Sequence, residues 1–257
     1  MSPPGRPKGE FRSAQRDVPP KSPQSRIGAM IMAAGRGERM RPLSEHAPKP
    51  LLPVAGKPLI VWQIEALVRA GFVDMVINAA HLAAQLVEAL GDGDAFGARI
   101  VWSIEHEPLE TAGGIATALP LLPPGQALIV SGDIYTDFDY ATLRQRAATM
   151  NADPAAPRVH LVMVANPPYH PAGDFALVGD RLQREGPAML TFGNIGLYDT
   201  ALFDGMPRGK KHSLLPLYHR WIDGGLVSGE RFAGRWANVG TPADLAALDR
   251  ELRMRAD

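Results

Sequence analysis

A short apolar run, Ile27 to Ala33, opens directly into a stretch from Ala34 to Pro50 that is dense in glycine, proline and charge. The run has the length and composition of a buried strand. A loop that long inside a compact domain is uncommon and is usually functional or disordered. Beyond Pro50 strand and helix patterns alternate, and that alternation fixes the fold class. Pro58 to Ala70 carries Leu59, Trp62, Ile64, Leu67 and Val68 at helical spacing, with Pro58 suited to a first helical position and Gly71 to a C-terminal cap. Val73 to Asn78 predicts a strand, His81 to Leu90 a helix closed by Gly91-Asp92-Gly93, and Arg99 to Ile104 a further strand. Gly113 to Leu122 predicts a short helix, and Ala127 to Val130 a strand that ends at Ser131-Gly132-Asp133. Such a pattern implies an α/β fold: a mostly parallel central sheet with helices on both faces.

The second half is less regular. Val159 to Ala165, Phe175 to Val178, Arg181 to Arg184 and Met189 to Leu197 predict short strands in a smaller antiparallel portion. Ser213 to Ile222 and Pro242 to Arg253 predict helices. No internal repeat and no linker interrupt residues 27–257, which are expected to form one domain. The first 26 residues differ. They hold six Lys/Arg against Glu10 and Asp17, a net of +4, so the remainder carries −4. Their prolines and scarce apolar residues predict a disordered basic tail. The whole chain is formally neutral, which argues against nucleic acid or an anionic membrane as partner. It has no cysteine, which excludes disulfides, thiolate zinc sites and cysteine nucleophiles. No apolar run is long enough to predict a transmembrane helix.

Four motifs carry chemistry. The first is Ala33-Ala34-Gly35-Arg36-Gly37-Glu38-Arg39, followed by Lys49 between Pro48 and Pro50. Small residues let backbone N–H groups approach a polyphosphate, and Arg39 and Lys49 add fixed positive charge. The third glycine of a dinucleotide fingerprint is absent, since Met40 stands there, and the Gly-Lys-Ser/Thr of a P-loop is absent too. The second motif is Glu107-Pro108-Leu109-Glu110-Thr111-Ala112-Gly113-Gly114, which also reads as a plain helix start capped by Thr111. The third is Ser131-Gly132-Asp133 at the carboxyl end of a strand, where open α/β sheets bind ligands. The fourth is Trp236-Ala237-Asn238-Val239-Gly240-Thr241.

In this order and over nearly all of the chain from Ile27, the motifs resemble the sugar-1-phosphate nucleotidyltransferase family. The resemblance implies a Rossmann-like nucleotidyltransferase fold and a transfer from UTP to a sugar 1-phosphate. It implies that Ala33, Ala34, Gly35, Gly37, Glu38, Arg39 and Lys49, with Glu110, Gly113 and Gly114 near the base, bind the nucleotide. Arg39, Lys49 and Asp133 would be catalytic, and Asp133 and Asn238 would hold Mg2+. Asn238 departs from the family's usual aspartate. Its amide oxygen either ligates the ion or orders the ion's water. Gly173 to Val178, Leu190 to Gly196 and Ser228 to Glu230 resemble a branch whose sugar carries a lactyl carboxylate, used in recycling cell-wall sugars in the cytoplasm. Asp174, Asn194 and Lys211 are the expected sugar-binding residues, with Lys210 and His212 as further candidates for the carboxylate. Three rivals remain: an enzyme of the family for another hexose 1-phosphate with UTP, dTTP or GTP, a non-catalytic nucleotide sensor, and a dinucleotide-binding oxidoreductase.

Overall fold

The computed structural model describes residues 27–153 and 155–256, so the predicted basic tail lies outside the described residues. In chain order the strands are β1 (Gly28–Met32), β2 (Pro53–Val54), β3 (Lys57–Pro58), β4 (Asp74–Ala79), β5 (Arg99–Ile104), β6 (Gln126–Ser131), β7 (Ile134–Thr136), β8 (Val159–Val164), β9 (Phe175–Val178), β10 (Arg181–Gln183), β11 (Met189–Asp199), β12 (Val227–Arg231) and β13 (Trp236–Asn238). The helices are α1 (Leu43–His46), α2 (Leu59–Arg69), α3 (Ala83–Leu90), α4 (Glu110–Ala118), α5 (Ala141–Ala152), α6 (Leu215–Asp223) and α7 (Pro242–Ala256). None of the described helices is long and apolar enough to cross a membrane.

Nine strands form one sheet in the order β5-β4-β1-β6-β11-β8-β12-β10-β9. From β5 to β6 every pairing is parallel; beyond β6 the pairings are antiparallel except for β12 on β8. Strand alternation distributes the core. On β1, Ala29 and Ile31 face one layer while Met30 faces the other; on β6, Leu128 and Val130 oppose Ala127 and Ile129. The first layer is filled by Ile60, Ile64 and Leu67 of α2, Leu86 and Leu90 of α3, and Leu143, Ala147 and Met150 of α5. The second is filled by Ala112, Ile115 and Ala118 of α4 and Tyr218, Trp221 and Ile222 of α6. Being buried on both faces, β1 is apolar along its length and β6 from Ala127 to Val130, as the sequence pattern implies.

A third cluster joins Met40, Leu52, Val54 and Leu59 to Val239, Leu248 and Leu252. It clamps the long first loop between the chain's last helix and the residues after β13. Asp249 of α7 also accepts from Ala55 N at 2.7 Å. The loop is thereby ordered by the C-terminal end of the chain.

Among the elements of five residues or more, two escaped the sequence pattern, α5 and β12. The sequence of α5 is largely polar and buries only Leu143, Ala147 and Met150. The five residues of β12, Val-Ser-Gly-Glu-Arg, carry almost no strand signal. Gly229 is needed there because a Cβ would lie 3.0 Å from Leu161 O. Helix α4 begins at Glu110 rather than at Gly113, and Thr111 is not its cap. His212 O accepts from Ala112 N and Gly113 N at 3.0 and 3.1 Å, so a distant loop serves the helix start in place of a side chain.

A buried polar pair holds the segment after β6. Tyr140 Oη donates to Gln63 Oε1 at 2.5 Å, and Gln63 Nε2 donates to Ile134 O at 2.9 Å. Both side chains are almost completely buried, which pushes the Tyr140 phenol far up and keeps it protonated. Tyr140→Phe leaves Gln63 Oε1 without a donor and should lower stability by about 1–3 kcal/mol. Urea unfolding of the variant beside the parent checks this.

Candidate active site

The first motif leaves the carboxyl end of β1, and the third leaves the parallel neighbour β6. This is the point where the chain's path across the sheet reverses, and ligands of open α/β sheets bind in the crevice there. Ser131 is in register with Met32, and Gly132 N donates to Met32 O at 2.9 Å, so the two turns start side by side.

The loop after β1 has a fixed form. Gly37 sits at φ +62°, and a Cβ there would approach Ser44 Cβ and Lys49 Cβ at 3.2 and 3.3 Å. Its carbonyl accepts from Met40 N at 2.8 Å and from Ser44 Oγ at 2.7 Å. Gly35 faces open space. The N–H groups of Ala34, Gly35, Arg36 and Gly37 have no acceptor among the described residues. They form a bank of free donors suited to an anion.

Lys49, only 9% exposed, closes the crevice from below. Its Nζ donates to Asp133 Oδ2 at 2.6 Å, and Ser131 Oγ donates to Asp133 Oδ1 at 2.6 Å. Asn238 is brought to the same spot by the small antiparallel pair of β7 and β13. It lies opposite Ile134, while Val239 N donates to Asp133 O at 3.0 Å. The Arg39 guanidinium runs along the same turn, where a Cβ on Gly240 would stand 3.5 Å from Nη2. Arg39, Lys49, Asp133 and Asn238 therefore converge on one crevice.

Beside it lies a cavity of about 430 Å³ lined by Arg39, Tyr169, Asp174, Asn194, Tyr218 and Asn238, among others. Asn194 reaches it because β11 changes register against β8 between Phe192 and Gly196. That bulge holds Asn194 at φ +58°, a conformation asparagine tolerates better than most residues. Asp174 is held by Phe192 N, which donates to Oδ2 at 2.8 Å, and by His170 Nε2, 3.1 Å from Oδ1. Tyr169 lines the cavity with Asn238, and partial burial raises its phenol above the usual range.

Not every expected residue reaches this cavity. Lys211 pairs with Glu107 Oε2 at 2.8 Å, on the loop before α4, and does not line the cavity with Asp174 and Asn194. Its position is set by the 209–212 segment, which packs along α4 through Gly209 N on Thr117 Oγ1 near the helix end and His212 N on Leu109 O just before its start. Lys211 chiefly, with Arg36 and Lys210 behind it, lowers the Glu107 carboxyl below its ordinary range. The two glycines of the second motif have a packing reason. A Cβ on Gly113 would lie 2.2 Å from Lys210 O, and one on Gly114 would lie 2.9 Å from Asn78 Nδ2. Glu110 is exposed at φ +59°. Sequence reasoning missed Tyr169, His170 and Tyr218, which belong to no motif and lie far along the chain from the first three motifs. It also gave no role to Ser131, although that residue opens the third motif.

The donor set bears on a metal ion. Among the described residues no three His, Asp or Glu side chains cluster to hold one. Asp133 supplies one carboxylate and Asn238 one amide oxygen. That fits an ion of the Mg2+ type, which keeps waters and takes phosphate oxygens as ligands, rather than a cage built by protein alone.

A family model described as nucleotidyl transferase matches residues 28–175. N-acetylmuramate alpha-1-phosphate uridylyltransferase of Neisseria meningitidis serogroup B is 48% identical over 217 residues, covering 83% of this chain and 93% of the relative. The protein of the same name from Caulobacter vibrioides is 37% identical, covering 85% and 94%. Among solved structures, HddC from Yersinia pseudotuberculosis, complexed with GMP-PN, superposes with a TM-score of 0.70 at 18% identity, covering 88% of this chain and 99% of that one, a likeness of fold. With a paired lysine and aspartate at the ends of adjacent parallel strands and this extent of matching sequence, the chain belongs to the nucleotidyl transferase family.

Proposed function

We propose that this protein transfers a uridylyl group from UTP to N-acetylmuramate α-1-phosphate, releasing pyrophosphate and forming a UDP-sugar. The observation that carries the reading is the convergence of Lys49, Asp133, Arg39 and Asn238 at the β1–β6 crevice, next to a cavity of sugar size. The 48% identity to the Neisseria relative supports the choice of nucleotide and sugar. Residues 27–257 would act as one catalytic domain, with 1–26 an appended basic tail, in the cytoplasm and in the reuse of cell-wall sugar.

The nucleophile is a phosphate oxygen that is already anionic at neutral pH, so no general base is needed. It attacks the α-phosphorus, the bond to the bridging oxygen breaks, and the electron pair leaves on pyrophosphate. The obstacle is repulsion among anions together with in-line placement. The free N–H groups from Ala34 to Gly37 cradle the triphosphate. Lys49, held in place by Asp133, presents its charge to the α-phosphate, and Arg39 faces it from the cavity side. Asp133 and Asn238 would hold Mg2+, which would supply positive charge to offset that of the phosphates. In the cavity, Asp174 and Asn194 meet sugar hydroxyls. With Lys211 paired to Glu107, the cavity side chains that could donate to the lactyl carboxylate are Arg39 and His170.

Lys49→Ala and Asp133→Ala should each lower kcat by about 10²-fold or more, as loss of a transition-state charge contact does. Steady-state pyrophosphate release, with folding checked by circular dichroism, tests both; near-parental turnover in the two variants would remove the assignment. Asn238→Asp adds a negative charge beside Asp133 and should lower the Mg2+ concentration that half-saturates turnover. An unchanged requirement would mean that position 238 does not face the ion. Mass-spectrometric identification of products from UTP, dTTP and GTP, each with N-acetylmuramate, glucose and mannose 1-phosphates, decides between this substrate pair and the other hexose 1-phosphates.

A further inference from the structure

A chain of buried hydrogen bonds runs across the carboxyl ends of β1, β4 and β5. Ala33 N, the first residue after β1, donates to Asn78 Oδ1 at 2.8 Å. Asn78 Nδ2 donates to Glu105 Oε1 at 2.7 Å. Leu109 N, immediately before α4, donates to Glu105 Oε2 at 3.0 Å. Asn78 is 1% exposed and Glu105 4%. The chain is closed from the α4 side by Gly114, where a Cβ would stand 2.9 Å from Asn78 Nδ2 and 3.0 Å from Glu105 Oε1. Burying a carboxylate is unfavourable unless its oxygens are satisfied, and burial does raise Glu105 while its two donors oppose that rise.

The chemistry of each position is dictated by its neighbours. Glu105 faces two donors, Asn78 Nδ2 and Leu109 N, and only a carboxylate offers each an oxygen. Asn78 faces one donor and one acceptor, Ala33 N and Glu105, and only an amide serves both. A merely structural filler would not need this matched polarity. The two backbone groups it joins open two different segments: Ala33 starts the anion-binding turn, and Leu109 ends the loop that leads into Glu110–Gly114, the start of α4.

We propose that Asn78 and Glu105 are positioning residues that lock these two loops into one preassembled frame for the nucleotide, so that the grip on its phosphates and the grip on its base form together. The proposal rests on the nucleotide-binding role of both loops in the proposed function. Neither side chain need touch the reacting atoms; each acts through the backbone it holds.

The polarity of the relay supplies its test. Asn78→Asp alone sets two carboxylates against each other. Glu105→Gln alone leaves one amide oxygen to serve two donors. In the double swap N78D/E105Q, every partner is restored. The carboxylate at 78 accepts from Ala33 and from the amide nitrogen at 105, and the amide oxygen at 105 accepts from Leu109. Calorimetric affinity for UTP, separate KM values for UTP and N-acetylmuramate α-1-phosphate, and backbone hydrogen exchange over 28–40 and 105–114 form the readout. Each single variant should weaken UTP binding about tenfold, leave the KM for the sugar phosphate within about threefold, and speed exchange in both segments. The double variant should return UTP affinity and exchange to within about threefold of the parent. If the singles do not fold, a double variant that folds and binds UTP supports the relay equally. A double variant no better than the weaker single, or one that also fails to fold, overturns it. So does a single variant whose exchange rises only in its own segment. If the parent itself showed no affinity for UTP, the substrate assignment would fall, and the exchange data would still decide the relay.

Discussion

The ion pair between Lys49 and Asp133 is the contact on which the crevice depends. It ties the far end of the long first loop to the turn after β6, across 84 positions of sequence. A nearly buried ammonium needs a counter-charge, and removing either partner would leave the other uncompensated. The pair therefore fixes where the loop ends, and with it the curve that the glycines trace between β1 and Lys49. Ser131 completes the arrangement by occupying the second oxygen of Asp133. These contacts fix the loop end, Ser131 and Asp133 relative to one another, a geometry that suits catalysis by positioning in the proposed reaction.

Around this contact the structure repeats one device: a residue near the site is held by a segment distant in the chain. The first loop is pinned by α7 through the cluster of Met40, Leu52 and Val54 with Leu248 and Leu252. Asn238 is set beside Asp133 by the pairing of β13 with β7. Helix α4 begins where it does because His212 O accepts its first donors. Asn194 is turned into the cavity by a register change in β11. A rigid sheet with two packed faces makes such long-range supports dependable.

Much of the architecture was legible along the chain. The apolar runs that became β1, β4 and β6 are continuous because both faces of the sheet are covered, and β5, β8 and β9 stand close to where their composition put them. Helix α5 and strand β12 were invisible for a physical reason. One buries a narrow apolar stripe beneath polar residues, and the other is chosen by its place between β8 and β10 rather than by its side chains. The pairing of Lys211 with Glu107, away from Asp174 and Asn194, was hidden for a related reason. A basic residue near a helix start can meet any anion within reach, and the nearest was Glu107.

The sequence by itself determined the chemistry available: the glycines after the first strand, Arg39, the proline-framed Lys49, Asp133 at a strand end, and Asn238 in place of an acid. These are local facts, set by residue type and by position relative to a strand. Only the tertiary structure decided that they meet, which residues wall the cavity, and that Asn78 and Glu105 join two loops. Those outcomes depend on strand order, register and packing of segments far apart in the chain, and no window of sequence contains the contacts that select them.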